Sequence, residues 1–309
     1  MLSQLTPECP KYLLYKAQAL PAMTTAVVNA GSVLALESAQ LAYEAGIIVP
    51  VLVGDRGLIN KAAHTLGWDI AKFELVPAEG EADAAAKAVA CVHQGTAQLL
   101  MKGDLHTDVL IRALLNRETG LRTGERLSHL FHMTVPNSDR VLCITDAVVN
   151  VQPDTKTQLS ILRGATSVMH ALGNDCPRIA LLSATEVPSK AMPSSLNAKE
   201  LLEAMSSQDH AAAQVFGPLA FDGAVSPEAA KIKGIDDPVA GHADVLLVPN
   251  IETGNAIFKQ LVYFNAATAA GVLLGAKVPV MLTSRADPPA ARLASAALAV
   301  VYAHHLHAG

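Results

Sequence analysis

The chain has 309 residues, of which 51% are hydrophobic and 17% charged, and a net charge of −5. Such a chain can fill one large domain or two ordinary ones, and its apolar content excludes disorder. No basic run offers a nucleic-acid footprint, and no apolar run approaches the roughly 20 residues of a membrane span. The N-terminus lacks the basic-then-apolar pattern of a secretory signal, so cytoplasmic residence is expected. The cysteines at 9, 91, 143 and 176 form no C-x-x-C and lie at no metal-ligand spacing from a histidine, so no metal site is expected.

Short β-branched runs alternate with Ala- and Leu-rich stretches, which is the α/β pattern. In chain order, residues 25–28 read as a strand and 33–45 as a helix. Residues 47–53 read as a buried strand, with Pro50 expected to interrupt its pairing. Arg56–Leu66 is helical, 73–76 a strand, and 79–93 a helix with acidic residues at its start and Gly95 beyond its end. Leu99–Lys102 is a short strand that runs into Gly-Asp-Leu-His-Thr-Asp, and a helix follows over 108–116. Residues 130–134 and 141–144 flank the turn signal Pro-Asn-Ser-Asp and predict an antiparallel hairpin. That hairpin breaks the α/β rhythm and marks a seam between two domains, with a ligand cleft expected between them. Helices are predicted over 157–172, 197–206, 261–274 and 293–305, and strands over Arg178–Leu182, 245–248 and 278–282.

Candidate functional residues cluster where apolar runs end, since ligands of open α/β sheets sit outside the carboxyl ends of strands. The run Val-Pro-Val-Met-Leu ends in Thr283-Ser284-Arg285-Ala286-Asp287. Arginine presents a planar fork suited to phosphate or carboxylate, and the serine offers a hydroxyl. No nucleophile-elbow pattern surrounds Ser284, so it reads as a hydrogen-bonding group. An ordinary Arg–Asp turn pair explains the same residues as well.

In the Gly103–Asp108 loop, Thr107 is placed to cap the next helix, whose start could hold an anion. His106 there is a candidate for acid–base work, although a loop histidine also serves as a plain hydrogen-bonding residue. Glu252, Asn255 and Lys259 follow the apolar run over 245–248, with Lys259 one helical turn beyond Asn255. Asp222 lies in a separate Phe-Asp-Gly turn. No G-x-G-x-x-G, Walker A or H-E-x-x-H motif is present, so nothing points to NAD, ATP or zinc.

Taken in order, five segments resemble one family. They are Met-Lys-Gly-Asp-Leu-His-Thr-Asp-Val-Leu, Ile-Thr-Asp-Ala-Val-Val-Asn-Val-Gln-Pro, Gly-Pro-Leu-Ala-Phe-Asp-Gly-Ala, the run from Val239 to Lys259, and Leu-Thr-Ser-Arg-Ala-Asp. Together they resemble the phosphate acetyltransferases and phosphate butyryltransferases across nearly the whole chain. The resemblance implies two α/β domains of the isocitrate/isopropylmalate dehydrogenase type with a cleft between them, residues 1–124 with 273–309 and residues 125–272. It also implies a homodimer. The expected reaction is acyl-CoA plus phosphate giving acyl phosphate plus CoA, through a ternary complex and with no cofactor or metal.

By the same resemblance Arg285 binds phosphate and Ser284 stabilises the oxyanion, while His106, Thr107, Asp222, Glu252, Asn255 and Lys259 are the expected substrate contacts beside them. The acetyl-type family carries an aspartate seven residues after the serine. Here that residue is Ala291, which leaves Asp287 as the expected base and His106 as the next candidate. Two other readings remain open at this stage: a catalytically silent acyl-CoA or anion binder, and an oxidoreductase of the related dehydrogenase fold.

Overall fold

The structure is a computed structural model that describes residues 2–283 and 286–308. The chain forms two compact units, Pro7–Glu125 with Ala270–Gly309, and Met1–Thr6 with Arg126–Ala269. The first unit begins α1 (Lys11–Gln18), β1 (Met23–Val28), α2 (Val33–Glu44), β2 (Ile48–Gly54), α3 (Arg56–Leu66), β3 (Leu75–Pro77), α4 (Gly80–His93), β4 (Leu99–Lys102) and α5 (Thr107–Leu114). The second unit holds β5 (Ser128–Thr134), β6 (Val141–Thr145), α6 (Thr155–Ala171), β7 (Arg178–Leu182), α7 (Pro193–Ala204) and α8 (Ser207–Ala212). It continues through β8 (Gln214–Leu219), α9 (Phe221–Val225), α10 (Pro227–Ile232), β9 (Val245–Leu247) and α11 (Ile251–Asn265). The chain then returns to the first unit through β10 (Thr268–Leu274), β11 (Val280–Met281) and α12 (Pro289–Ala308).

In the first unit the strands lie in the order β3-β2-β1-β4-β11-β10. The β1–β2, β2–β3, β1–β4 and β4–β11 pairs are parallel, and β10–β11 is antiparallel. The order runs outward from β1 to β3 and then jumps back across β1 to β4. Right-handed crossovers therefore send α2 and α3 to one face and α4 to the other. Accordingly, α2 packs with α3 and α12, and α4 packs with α5. Local signals explain the elements: Asp55 caps α3 by accepting from the Leu58 N–H at 2.8 Å, and Gly67 ends it in the left-handed region at φ 62°. Ile59, Ala62 and Ala63 form its buried stripe.

The second unit orders its strands β5-β6-β9-β7-β8, with the predicted antiparallel hairpin as β5–β6 and parallel pairs beyond it. Its core joins Phe131, Ile144, Leu182, Leu219 and Leu246, against which Ile257, Phe258 and Leu261 of α11 pack. Phe131 stacks on Phe258 with ring centroids 4.2 Å apart, worth about 0.5–1.5 kcal/mol beyond the buried area. Gly254 is required where α11 meets the loop after β6. A Cβ there would stand 2.9 Å from the Asp146 carbonyl oxygen and 3.0 Å from the Ala147 Cα.

Four expectations about elements are corrected. The predicted helix over 261–274 is the end of α11 followed by β10. Ala266, at φ 52°, turns the chain out of the helix, and every residue of β10 is buried on both faces, so its Ala and Gly carry no strand alternation. Pro50 does not interrupt β2, since it sits opposite Thr25 in an unbroken register. Leu52 sends its N–H to Glu74 on the β3 side. Pro50, two residues earlier, faces the same side beyond the end of β3, where no ladder donor is needed. Phe221-Asp222-Gly223, expected as a turn, opens α9, and α7 begins at Pro193, four residues before its predicted start at 197.

Candidate active site

The strand order of the first unit reverses between β1 and β4, which is where open α/β sheets place ligands. A cavity of about 150 Å³ lies there, at the carboxyl ends of β1, β4 and β11; Ser32, Leu34, Lys102, Asp104, Thr283 and Arg292 are among its lining residues. The two central strand ends are pinned together. The Gly103 N–H donates to the Val28 carbonyl at 2.9 Å and the Asp104 N–H to the Asn29 carbonyl at 3.0 Å. Asn29 adopts φ 55° and returns a bond from Nδ2 to the Asp104 carbonyl at 2.5 Å. Only glycine fits at 103, because its Cα faces the Val28 and Asn29 carbonyls.

Two elements close the cavity. Ser32 caps α2 by accepting from the Ala35 N–H at 3.2 Å, which aims the positive end of that helix at the cavity. From α12 comes Arg292, whose side chain is 5% exposed. Its Nη1 donates to the Asp287 carbonyl at 2.8 Å and its Nη2 to the Glu37 carboxylate. Its Nε is buried with no partner among the described residues. Leaving a buried donor unmet costs about 1–3 kcal/mol.

Of the sequence-predicted catalytic residues, Ser284 and Arg285 lie outside the described residues. Thr283, just before them, lines the cavity. Asp287 is half-buried, and its backbone is held by Arg292. Ala291 is 3% exposed in the first turn of α12, so the position of the acetyl-type aspartate carries only a packed methyl group.

His106 and Thr107 begin α5, and the capping expectation is corrected. The cap residue is His106, and Thr107 is the first helical residue. Among the described residues no side chain caps α5; instead the carboxylate of Glu81, on α4, binds the cap residue itself. It accepts from the His106 N–H at 2.9 Å and lies 2.9 Å from the His106 Nδ1. The start of α5 thus already holds an anionic group. The His106 side chain is 71% exposed.

The other predicted residues belong to the second unit. Asn250 caps α11 by accepting from the Thr253 N–H at 2.9 Å. Glu252 and Lys259 are exposed on that helix, and Asn255 reaches the Ala147 carbonyl at 3.4 Å. Asp222 lies exposed on α9. It accepts from Lys233 Nζ at 2.7 Å, and Lys233 also binds Glu186 at 2.7 Å. The Lys233 hydrogen bond holds the Asp222 carboxyl below its ordinary range.

Sequence reading missed Asp146, which is 2% exposed. Its carboxylate accepts from the N–H groups of Val148, Val149 and Asn150 and from Asn150 Nδ2, at 2.6–3.2 Å. Saturated in this way, it fixes a loop and holds no spare acceptor strength for a ligand.

A larger cavity, about 510 Å³, lies on α6 and α8 of the second unit. Its charged groups satisfy one another: Arg163 grips Asp209 at 2.8 and 3.0 Å, and His170 meets the Ala212 carbonyl at 2.9 Å. It lies on helices and not at the ends of strands, where Lys102, Gly103 and Thr283 border the smaller cavity, so the smaller cavity carries the functional argument. Burial pushes the Cys9 thiol up to about 11 and the Cys143 thiol up to about 12, so neither supplies a thiolate nucleophile near neutral pH. Among the described residues no group of His, Cys, Asp and Glu could hold a metal ion, and no helix is long and apolar enough to cross a membrane.

A cavity at a strand-order reversal, bordered by a helix start and a buried guanidinium, lies where open α/β proteins hold their ligands. The family described as Phosphate acetyl/butaryl transferase matches residues 79–300. A phosphate acetyltransferase of Rhizobium meliloti is 42% identical over 291 residues, covering 94% of this chain and 92% of that protein. The crystal structure of a branched-chain phosphotransacylase from Enterococcus faecalis V583 superposes with a TM-score of 0.80 at 32% identity, covering 92% of this chain and 99% of that one. A 4-hydroxythreonine-4-phosphate dehydrogenase from Klebsiella pneumoniae shares the fold alone, with a TM-score of 0.51 at 12% identity over 93% of this chain and 99% of that one. The chain belongs to the phosphate acetyl/butyryl transferase family and is an acyltransferase of dehydrogenase-like α/β fold.

Proposed function

We propose that this acyltransferase moves a short acyl group reversibly between CoA and inorganic phosphate, with Ser284, Arg285 and Asp287 as its catalytic residues. The family match over residues 79–300 carries the reading. The cavity supports it, because Thr283 brings the chain to the carboxyl end of β11 immediately before Ser284-Arg285.

In the forward direction a phosphate oxygen attacks the thioester carbonyl, an oxyanion forms, and the thiolate of CoA departs. Arg285 holds the phosphate, and Ser284 donates to the oxyanion, a role worth about 10²–10³ in rate. Holding two substrates together supplies much of the remaining acceleration. In reverse, Asp287 takes the proton of the CoA thiol, since Ala291 has no group to do so. His106, Thr107, Asp222, Glu252, Asn255 and Lys259 serve as substrate contacts. The two units act as its domains, it works as a cytoplasmic homodimer, and it requires no cofactor or metal beyond its substrates.

Thiol release from acetyl-, propionyl- and butyryl-CoA, with and without phosphate, tests the reaction and ranks the acyl chain. Phosphate-dependent release is expected, and release that ignores phosphate, or none at all, overturns the proposal. Arg285→Ala should raise the KM for phosphate by about 10-fold or more, the scale of one lost charge-assisted fork. Ser284→Ala should lower kcat by about 10²–10³.

A further inference from the structure

We propose that Arg292 is a positioning residue for Asp287, holding the main chain of that candidate base from α12 while Glu37 of α2 steadies the guanidinium. The inference rests on the reaction proposed above, in which Asp287 takes the proton of the CoA thiol.

The first ground is a charge where an apolar side chain would pack. Arg292 is 6% exposed, and Ala291, Ala294, Ala296 and Ala297 around it in the sequence are buried. A buried ion pair is weak evidence of stability, because apolar residues of similar volume often serve as well. What the guanidinium adds is direction. Its planar fork sends Nη1 to the Asp287 carbonyl at 2.8 Å and Nη2 to the Glu37 carboxylate. The first bond reaches back from the opening turn of α12 into the loop that leaves β11. With Nε enclosed and both outer nitrogens bonded to protein, Arg292 acts on the reaction through Asp287 rather than on substrate.

The second ground is what stands at each end of this link. Glu37 follows Leu36 on α2, and Leu36 and Ala39 are fully buried, so the anchor is a packed helix. Asp287 is followed by Pro288 and Pro289. Each proline steers the residue before it to extended backbone and fixes its own φ. With its carbonyl also held, Asp287 keeps little main-chain freedom, and its half-buried carboxylate starts from a fixed point. A reacting group displaced by about 1 Å loses on the order of 10²-fold in rate, so an anchor of this kind bears directly on catalysis.

The test is a double-mutant cycle on the full chain, read as initial rates of acyl-CoA formation from CoA with acetyl phosphate or butyryl phosphate. Asp287→Asn removes the carboxylate but leaves the carbonyl that Arg292 holds. It should lower kcat by about 10²–10⁴, the range of a lost general base. Arg292→Met fills the apolar space, and Glu37, whose side chain is 40% exposed, can turn to water. That variant should therefore fold and melt within about 3 °C of wild type. At pH 6.5 it should lower kcat by about 10–10²-fold, with the KM for CoA and for acyl phosphate within about threefold. Added to Asp287→Asn it should cost at most about threefold more, because the base it positions is already gone.

A purely structural role would leave the pH profile unmoved. A thiol of ordinary acidity, near about 8.5, ionises unaided as pH rises. The Arg292→Met deficit should therefore shrink at least about fivefold between pH 6.5 and 8.5. Arg292→Lys, which keeps a charge beside Glu37 but loses the fork, takes its place in the same cycle if Arg292→Met fails to fold. A folded variant within about twofold of wild type overturns the inference. So does a loss that multiplies in full with that of Asp287→Asn, or one that ignores pH. The proposed reaction fails separately, before Arg292 is touched: wild type that forms no acyl-CoA sinks it, and Asp287→Asn at the wild-type rate strikes Asp287 from it.

Discussion

Adding one methyl group at position 103 tests how the cavity is held. A Cβ on Gly103 would stand 2.4 Å from the Val28 carbonyl oxygen and 2.7 Å from that of Asn29. Both are backbone atoms at the end of β1, so no side-chain rotation relieves the clash. The end of β4 must lift away, loosening the bonds from the Gly103 and Asp104 N–H groups at 2.9 and 3.0 Å. Forced overpacking costs about 1–3 kcal/mol, and each loosened bond adds about 0.5–1.5 kcal/mol. Gly103→Ala is therefore expected to lose about 2–6 kcal/mol, a fall in Tm of roughly 4–24 °C for a unit of this size class. The KM for phosphate should rise with it, because Lys102 and Asp104 flank the displaced residue. Gly124→Ala, where a Cβ meets nothing within 4 Å, is the control. It should stay within about 0.5 kcal/mol of wild type. Thermal melts and urea titrations of both variants decide the matter. If Gly103→Ala melts within about 1 °C of Gly124→Ala, the close approach of the two strand ends is not what shapes the cavity.

Burial holds the His132 imidazole at about 4, against an ordinary 6.5, so the folded chain keeps it neutral. The unfolded chain takes up that proton first, so the contribution is intact above about 6.5. It falls by about 3 kcal/mol as pH drops from 6.5 to 4, and His132→Gln should flatten that part of a stability–pH curve measured in urea. Asp209, whose side chain is 7% exposed, completes the capping box of α8 by accepting from the Ser206 N–H, and it binds Arg163. Asp209→Ala should lose about 2–4 kcal/mol in urea unfolding, and Asp209→Asn less, because it keeps the cap acceptor. Hydrogen bonding to Arg163 holds the Asp209 carboxyl well below the ordinary 3.8. Its contribution is therefore present above that value and lost as pH falls below it. The phosphate dependence expected to change in Arg285→Ala completes the set, read from initial rates.

Much of the first unit was legible because its elements carry local stops. Arg56–Leu66 and Leu99–Lys102 were read with the bounds they have in the structure, the first between an aspartate cap and a left-handed glycine. What failed depended on partners far away in sequence. In β10 every residue is buried, so its run of small residues looked helical until β11 was placed beside it. Pro50 looked disruptive until the short reach of β3 was known. At the site, strand-end reasoning reached the loop after β4 and the run into Thr283, but it passed over Ser32 and Arg292. Both left a trace in the sequence. Ser32 stands directly before a helical run, and Arg292 is the one charged residue between Asp287 and His304. A lone charge in so apolar a helix needs a buried partner, and nothing local says which. Glu37 is 255 residues away.

The placement of β11 sets the order in which this protein can assemble. Leu100 of β4 pairs with Val280 of β11, 180 positions later in the chain. At about 5–20 residues per second of synthesis, the outer edge of β4 waits on the order of 10 seconds or more for its neighbour. The second unit, continuous from Arg126 to Ala269 apart from its N-terminal strip, is complete before β11 and α12 emerge. Contacts so distant in sequence make closure of the first unit slow. Until β11 arrives, β4 presents unpaired backbone that another chain could capture. Truncation before β11 should therefore leave a folded second unit attached to an aggregation-prone, half-closed sheet.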